Sequence, residues 1–201
     1  MQFVEVFKFP IYSFTCDEKI TNEVLSEVEK LDYRANVSNQ VSIGDFYHKE
    51  LICWFDQCLN EIKTANQIDS NIDFPITGCW ANKTAKLMKH HAHSHPNSFL
   101  SGIFYLTENT GSETVFVLEN FLNKHYSGFN IGPEVITGSV APTKGTLIVF
   151  PSYLTHSVNV LKSNEFRYTI AFNAFIQGTL STKNTTQLTL KTTSLHEKYE
   201  T

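Results

Sequence analysis

The chain is predicted to fold as an α+β domain, its helices leading and a β-sandwich or jelly roll following, with the helices covering one face. Three observations carry this. Two stretches near the N-terminus place apolar residues at helical spacing, whereas from Asn71 onward the sequence breaks into short apolar runs separated by Gly, Pro, Asn and Ser. The aromatic share is also high, with 16 Phe and 8 Tyr in 201 residues, and such side chains favour pleated, half-buried surfaces. Helices followed by a series of strands suggest segregated layers rather than alternating βα units.

The opening FVEVFKFPIYSF reads as an extended segment that Pro10 confines to a sheet edge or an irregular strand. In DEKITNEVLSEVEKL, Ile20, Val24, Val28 and Leu31 recur every three or four residues, and Asp17 stands where it can cap the first turn. A second helix is predicted over 45–66, where Leu51, Trp54, Phe55, Cys58, Leu59 and Ile62 form one stripe suited to core packing. FPITGCWAN, FLSGIFYL, ETVFVL, GTLIVF and RYTIAFNAFI read as strands. Residues 121–142 show no clear period and read as a long insertion, of the kind that serves as a lid or is disordered; as a lid, Gly128, Gly132 and Gly138 would permit its movement. Residues 1–201 are taken as one domain: 1–70 helical, 71–177 the β core, and 178–201 a tail in which QLTL could add an edge strand.

A formal charge of -4 and a pI near 6.0 provide no basic field, so nucleic acid is not favoured as a partner. No apolar stretch approaches the length of a membrane span, so no membrane partner is expected. Cys16, Cys53, Cys58 and Cys79 form no CxxC pair and no signal-peptide pattern opens the chain, which points to reduced thiols in a cytoplasm.

HHAHSHP crowds four of the eight histidines together. If this segment is extended, His91, His93 and His95 face one side and His90 the other. H-x-H is then a two-ligand edge, and a third ligand must come from elsewhere. His156 qualifies, because it follows GTLIVFPSYLT, where Pro151 ends a buried strand and polar residues reach the rim. His48, His125 and His196 fall in a helix, a loop and the tail, without such framing. On RYTIAFNAF, Arg167, Thr169 and Asn173 share one strand face, while Tyr168, Ile170 and Phe172 take the other. A guanidinium in an apolar layer needs an anion: a carboxylate held by Arg167 and Thr169, or a neighbouring acidic side chain.

HSHPNSFLSGIFYL, then GTLIVFPSYLTHSV and RYTIAFNAF, resemble the 2-oxoglutarate and Fe(II)-dependent oxygenase superfamily, in particular a branch of small viral and bacterial proteins. The branch pattern of W-x-N, H-x-H-P-x-S, S-G-x-x-Y, F-P-S, H and R is represented by Trp80, Asn82, His93, His95, Ser101, Gly102, Tyr105, Pro151, Ser152, His156 and Arg167, over about 79–175. The resemblance implies a double-stranded β-helix, a cupin-like jelly-roll barrel with the N-terminal helices packed on one sheet. It implies Fe(II) on His93, His95 and His156, with 2-oxoglutarate and O2 as co-substrates for hydroxylation of an unknown primary substrate. It carries 2-oxoglutarate binding to Arg167 and Thr169, and places Tyr105 and Asn82 beside co-substrate or substrate. No catalytic residue is implied beyond the metal ligands. It leaves His90 and His91 as bystanders. In one respect the chain departs from the superfamily triad of His-x-Asp/Glu and a distal His, since His95 occupies the carboxylate's place; Glu119 is the candidate substitute.

Two other readings compete. A cupin-type metalloenzyme that does not use 2-oxoglutarate would have H-x-H on a barrel, but 96–101 lack the glutamate expected there and Arg167 would have no task. A non-enzymatic β-rich binding or structural module would carry incidental or zinc-binding histidines, yet the cysteines lack the spacing to complete a four-ligand zinc site. Oligomeric state stays open, a homodimer included.

Overall fold

A computed structural model describes residues 10–108, 111–119, 135–181 and 187–200. Its elements are β1 (Tyr12–Thr15), α1 (Glu18–Val28), β2 (Tyr33–Ala35), β3 (Gln40–Ser42), α2 (Lys49–Ala65), β4 (Ile76–Thr84), β5 (His90–His93), β6 (Leu100–Tyr105), β7 (Thr114–Glu119), β8 (Val135–Val140), β9 (Thr146–Pro151), β10 (Thr155–Val158), β11 (Arg167–Ala174), β12 (Gly178–Leu180), β13 (Leu188–Leu190) and α3 (Leu195–Tyr199). The larger sheet has seven strands in the order β1-β9-β6-β11-β4-β3-β2, and a smaller one has the order β5-β10-β7-β8. All their pairings are antiparallel. The two sheets form an open double-stranded β-helix rather than a closed barrel, with the helices on one face of the larger sheet.

Asp17 caps α1, its carboxylate accepting from the Lys19 N–H at 2.8 Å. The second helix begins later than its apolar stripe suggests. Phe46 is tied to β4 by its N–H on the Cys79 carbonyl at 2.7 Å, so the chain turns into the helix only at His48. His48 is the N-cap of α2 rather than a helical residue, and its Nδ1 accepts from the Leu51 N–H at 3.2 Å.

The predicted stripe of α2 does pack as a core. Leu51, Phe55, Cys58, Leu59 and Ile62 are buried with Val24 and Val28 of α1 against Phe104, Ile170 and Phe172 of the sheet. Phe55 lies 4.8 Å from Phe172 and 5.8 Å from Phe104, ring centre to ring centre. On the other sheet face, Ile103, Tyr105, Ile148 and Phe150 meet Phe116 and Leu154 in a second apolar cluster. All six residues of β6 are therefore buried, odd positions towards the smaller sheet and even ones towards the helices. Gly102 falls on the helix side, directly opposite Phe172 in the ladder, and a Cβ there would overlap the Phe172 ring.

Several predicted features shift. β1 occupies the sheet edge that Pro10 implied, while the rest of the opening segment, 1–9, lies outside the described residues. Residues 121–134 of the expected insertion, with His125, Gly128 and Gly132, also lie outside them. Its end, however, is strand β8, which holds Gly138 and pairs with β7. QLTL does not extend the main sheet; β13 pairs with β12 in a separate two-stranded sheet. The last residues form α3, closed by a Ser194/Glu197 capping box. Its His196 reaches Asp56 of α2 at 2.8 Å, so this histidine tethers α3 rather than lying in a free tail. No helix among the described residues is long and apolar enough to cross a membrane.

Gly102→Ala is expected to destabilise the protein by about 1–3 kcal/mol through overpacking against Phe172, read as a lowered urea midpoint with an unchanged m-value.

Candidate metal centre and anion pocket

His93 ends β5 and faces His156 of β10, its partner in the ladder; His95 follows β5 in a turn whose N–H bonds the Ser152 carbonyl at 3.0 Å. One ring nitrogen from each of His93, His95 and His156 lies within 4.8 Å of the others. Their Nδ1 atoms are all engaged. His93 donates to the His91 carbonyl at 2.8 Å, His95 to the Asn173 side-chain oxygen at 2.6 Å, and His156 to the Leu154 carbonyl at 3.0 Å. This tautomer leaves each Nε2 with a free lone pair, the arrangement a metal ligand requires. Nε2 of His95 is buried with no protein partner, so the donor set fits a divalent ion. Burial is the largest influence holding all three below the ordinary histidine value, His156 down to about 3, which keeps them neutral and available as ligands.

A clasp of hydroxyls holds this geometry. Asn173 accepts from His95 and also from Ser101 at 2.9 Å; Ser101 is bonded to Ser152 at 2.8 Å, and Ser152 to Ser98 at 2.9 Å. The H-P-x-S, S-G and F-P-S blocks thus meet in space as one network behind His95. The indole of Trp80 stacks on the His95 ring at 5.8 Å and 22°.

Arg167 opens β11 with 3 % exposure, and its Nε and Nη2 are buried without a partner. Its guanidinium carbon sits 5.4 Å from the centre of the Tyr105 ring. Tyr105 stands behind Arg167, with its hydroxyl bonded to Thr114 at 2.8 Å. Thr169 and Asn82 are buried partners across the β11–β4 ladder, and Asn82 accepts from the Asn39 amide at 3.4 Å. Arg167, Thr169, Asn82, His93, His95 and His156 line one cavity. Glu119 closes β7, but its side chain lies outside the described residues.

His90 also lines that cavity, against the expected alternation. His156 pairs with His93 but Val158 pairs with His90, so two steps along β10 match three along β5. The extra residue is a bulge, and it turns His90 to the same side as His93, whose ring it stacks at 4.4 Å. Sequence reasoning placed Asn173 on the Arg167 face but missed its bond to His95. The face was legible from period two; the partner, 78 residues away, was not.

The family model described as "Putative 2OG-Fe(II) oxygenase" matches residues 78–173, the stretch that carries every residue of the cavity. Just under half of the chain, the part that builds the cavity, is thus similar to that family. Solved structures share this fold at low identity. One is HygX of Streptomyces hygroscopicus with nickel and 2-oxoglutarate bound (TM-score 0.61, 12% identity, 83% of each chain covered). Another is a 2OG-Fe(II) oxygenase family oxidoreductase of Burkholderia pseudomallei (TM-score 0.59, 15% identity, 82% of this chain and 84% of that one). A third is a Pseudomonas putida prolyl-4-hydroxylase (TM-score 0.57, 14% identity, 83% and 92%). No curated protein matches the sequence.

Asn173→Ala is expected to weaken divalent-metal binding about 10–100-fold, measured by calorimetric titration, because His95 loses the acceptor that sets its tautomer and orientation. For the protein without metal, the folded-state value of about 3 at His156 lies below the ordinary 6.5, so the unfolded chain takes up the proton first. Stability is therefore expected to fall as pH drops from about 6.5 towards 3, and to recover with added metal, as read by denaturant titration across that range.

Proposed function

We propose that this protein is a 2-oxoglutarate- and Fe(II)-dependent dioxygenase in which His93, His95 and His156 hold the metal through Nε2, and Arg167 with Thr169 binds the distal carboxylate of 2-oxoglutarate. The observation that supports it most is the pairing of two incomplete sites in one cavity: three neutral imidazoles with free lone pairs, and a buried guanidinium with no counter-ion among the described residues. Each lacks what the other's ligand brings. When bound, iron and 2-oxoglutarate supply oxidation of a C–H bond by O2, with succinate and CO2 as products.

The chain's own residues bind, orient and exclude water. The Arg167 fork offers two unused N–H faces to a carboxylate, and Tyr105 props the guanidinium from beneath. Thr169 and Asn82 offer hydrogen-bonding groups on the same wall. The serine clasp fixes His95, so the metal geometry does not depend on a mobile loop. Three neutral histidines leave the full charge of a divalent cation to be balanced by its ligands, which favours a dianionic chelator over a neutral one. Structural zinc would need a fourth protein ligand, and none joins the three among the described residues. The four free cysteines fit a cytoplasmic setting.

Anaerobic addition of Fe(II) and 2-oxoglutarate is expected to raise a visible charge-transfer band. His156→Ala should abolish it, and Arg167→Ala should weaken 2-oxoglutarate binding by roughly 10–150-fold, as expected for loss of a charge-assisted pair. Absence of the band together with absence of succinate formation in air would reject the oxygenase reading. Unchanged 2-oxoglutarate affinity in Arg167→Ala would remove the anchor role.

A further inference from the structure

The three-histidine cluster has two sides. The inner one is the cavity of Arg167, and the outer one is an open cleft of about 280 Å³ that also touches His93 and His95. Trp80 lines both, and it also lines an adjoining compartment of about 420 Å³ walled by Arg34, Val41, Ser42 and Asp45. One indole is thus shared by the inner cavity, the cleft and its outer extension. These volumes suit a small molecule.

Sheet register places the far wall. Arg34 pairs with Val41, Val41 with Asn82, and Asn82 with Thr169, so Arg34 ends the same row that holds the inner-cavity residues. It stands two strands beyond Asn82, which is roughly 10 Å at ordinary strand spacing. Arg34 of β2 lines the extension and Asn36, just after the strand, lines the cleft, while Tyr33 turns to the opposite face against Tyr168. The charges there are unequal. Asp45 is answered by Lys198 at 3.5 Å, whereas no described residue pairs with Arg34.

We propose that the outer cleft binds the primary substrate, and that this substrate is a compact molecule with a planar ring and an acidic group, the ring lying on Trp80 beside His95 and the acid held by Arg34. The inference rests on the oxygenase reading for the word substrate, but the binding site stands on the cleft itself. Trp80 supplies a flat apolar face, Asn36, Ser94 and Asn173 supply hydrogen-bonding groups near the histidines, and Arg34 supplies a charge that no described residue pairs.

The chain has two tryptophans, and Trp54 packs on Phe55 and Phe104 on the helix side of the sheet, so Trp54→Phe leaves Trp80 as sole reporter. Its fluorescence is titrated with N-acetylphenylalanine, hippurate and uridine 5′-monophosphate, and with their neutral counterparts N-acetylphenylalaninamide, hippuramide and uridine. Should Trp54→Phe fold poorly, the same titrations are run on the natural chain. At least one acid is expected to quench saturably, to bind about tenfold or more tighter than its neutral counterpart, and to lose that preference in Arg34→Gln. No saturable quenching by any acid, equal binding of acid and neutral forms, or an unchanged preference in Arg34→Gln overturns the proposal. Repeating the titrations without metal and with Zn(II) plus 2-oxoglutarate separates the two claims. Acid binding without metal retains the cleft even where the Fe(II) assay fails, and an intact charge-transfer band without acid binding removes the cleft alone.

Discussion

Period-two alternation along β11 is the constraint on which the rest of the molecule depends. One set of its side chains, Tyr168, Ile170, Phe172 and Ala174, is buried under the helices; the other, Arg167, Thr169, Ala171 and Asn173, faces the space between the sheets. A slip of one residue would put a guanidinium into the α2 core and an aromatic ring among the histidines. The Phe55–Phe172 and Phe55–Phe104 contacts that hold α2 on the sheet therefore also fix which way Arg167 faces. Gly102 belongs to the same constraint, since its missing side chain lets Phe172 lie flat over the neighbouring strand.

Electrostatics sorts the interior into two zones. Around the imidazoles, burial and mutual proximity oppose protonation, and three Nδ1–H donors are spent on fixed acceptors, leaving lone pairs turned to a common point. Around Arg167, burial opposes the charged form as well, and among the described residues Tyr105 favours the charge. Among the described residues neither zone holds a negative charge, and this supports the dianion proposed as their common ligand. This is why the three-histidine set, unusual beside a carboxylate-bearing triad, is consistent with the co-substrate rather than opposed to it.

Much of this was legible in the sequence for a simple reason: apolar period and strand-face alternation are local. The α2 stripe, the main strands of the core and the two faces of β11 follow from spacing alone. What escaped depended on distant partners. β2 and β3 are three residues each and polar, too short to show a period, and they are strands only because β4 offers them an edge. The bulge in β5 exists only against β10, so alternation sent His90 to the wrong side. His196 reads as a tail residue until Asp56 is brought beside it by α3 docking on α2.

The strand order also bears on how the site comes into being. β4 pairs with β11 and β1 with β9, so the main sheet closes only between segments far apart in sequence, a topology that folds slowly because long loops must be closed before contacts repay them. His93 and His156 become neighbours through the β5–β10 pairing, and His95 gains its acceptor only when β11 is in place. A nascent chain that ends before β11 thus has the H-x-H pair but neither Asn173 nor Arg167. The three imidazoles and Arg167 thus come together only once the last strands of the core are in place, so the site is completed late whatever it binds.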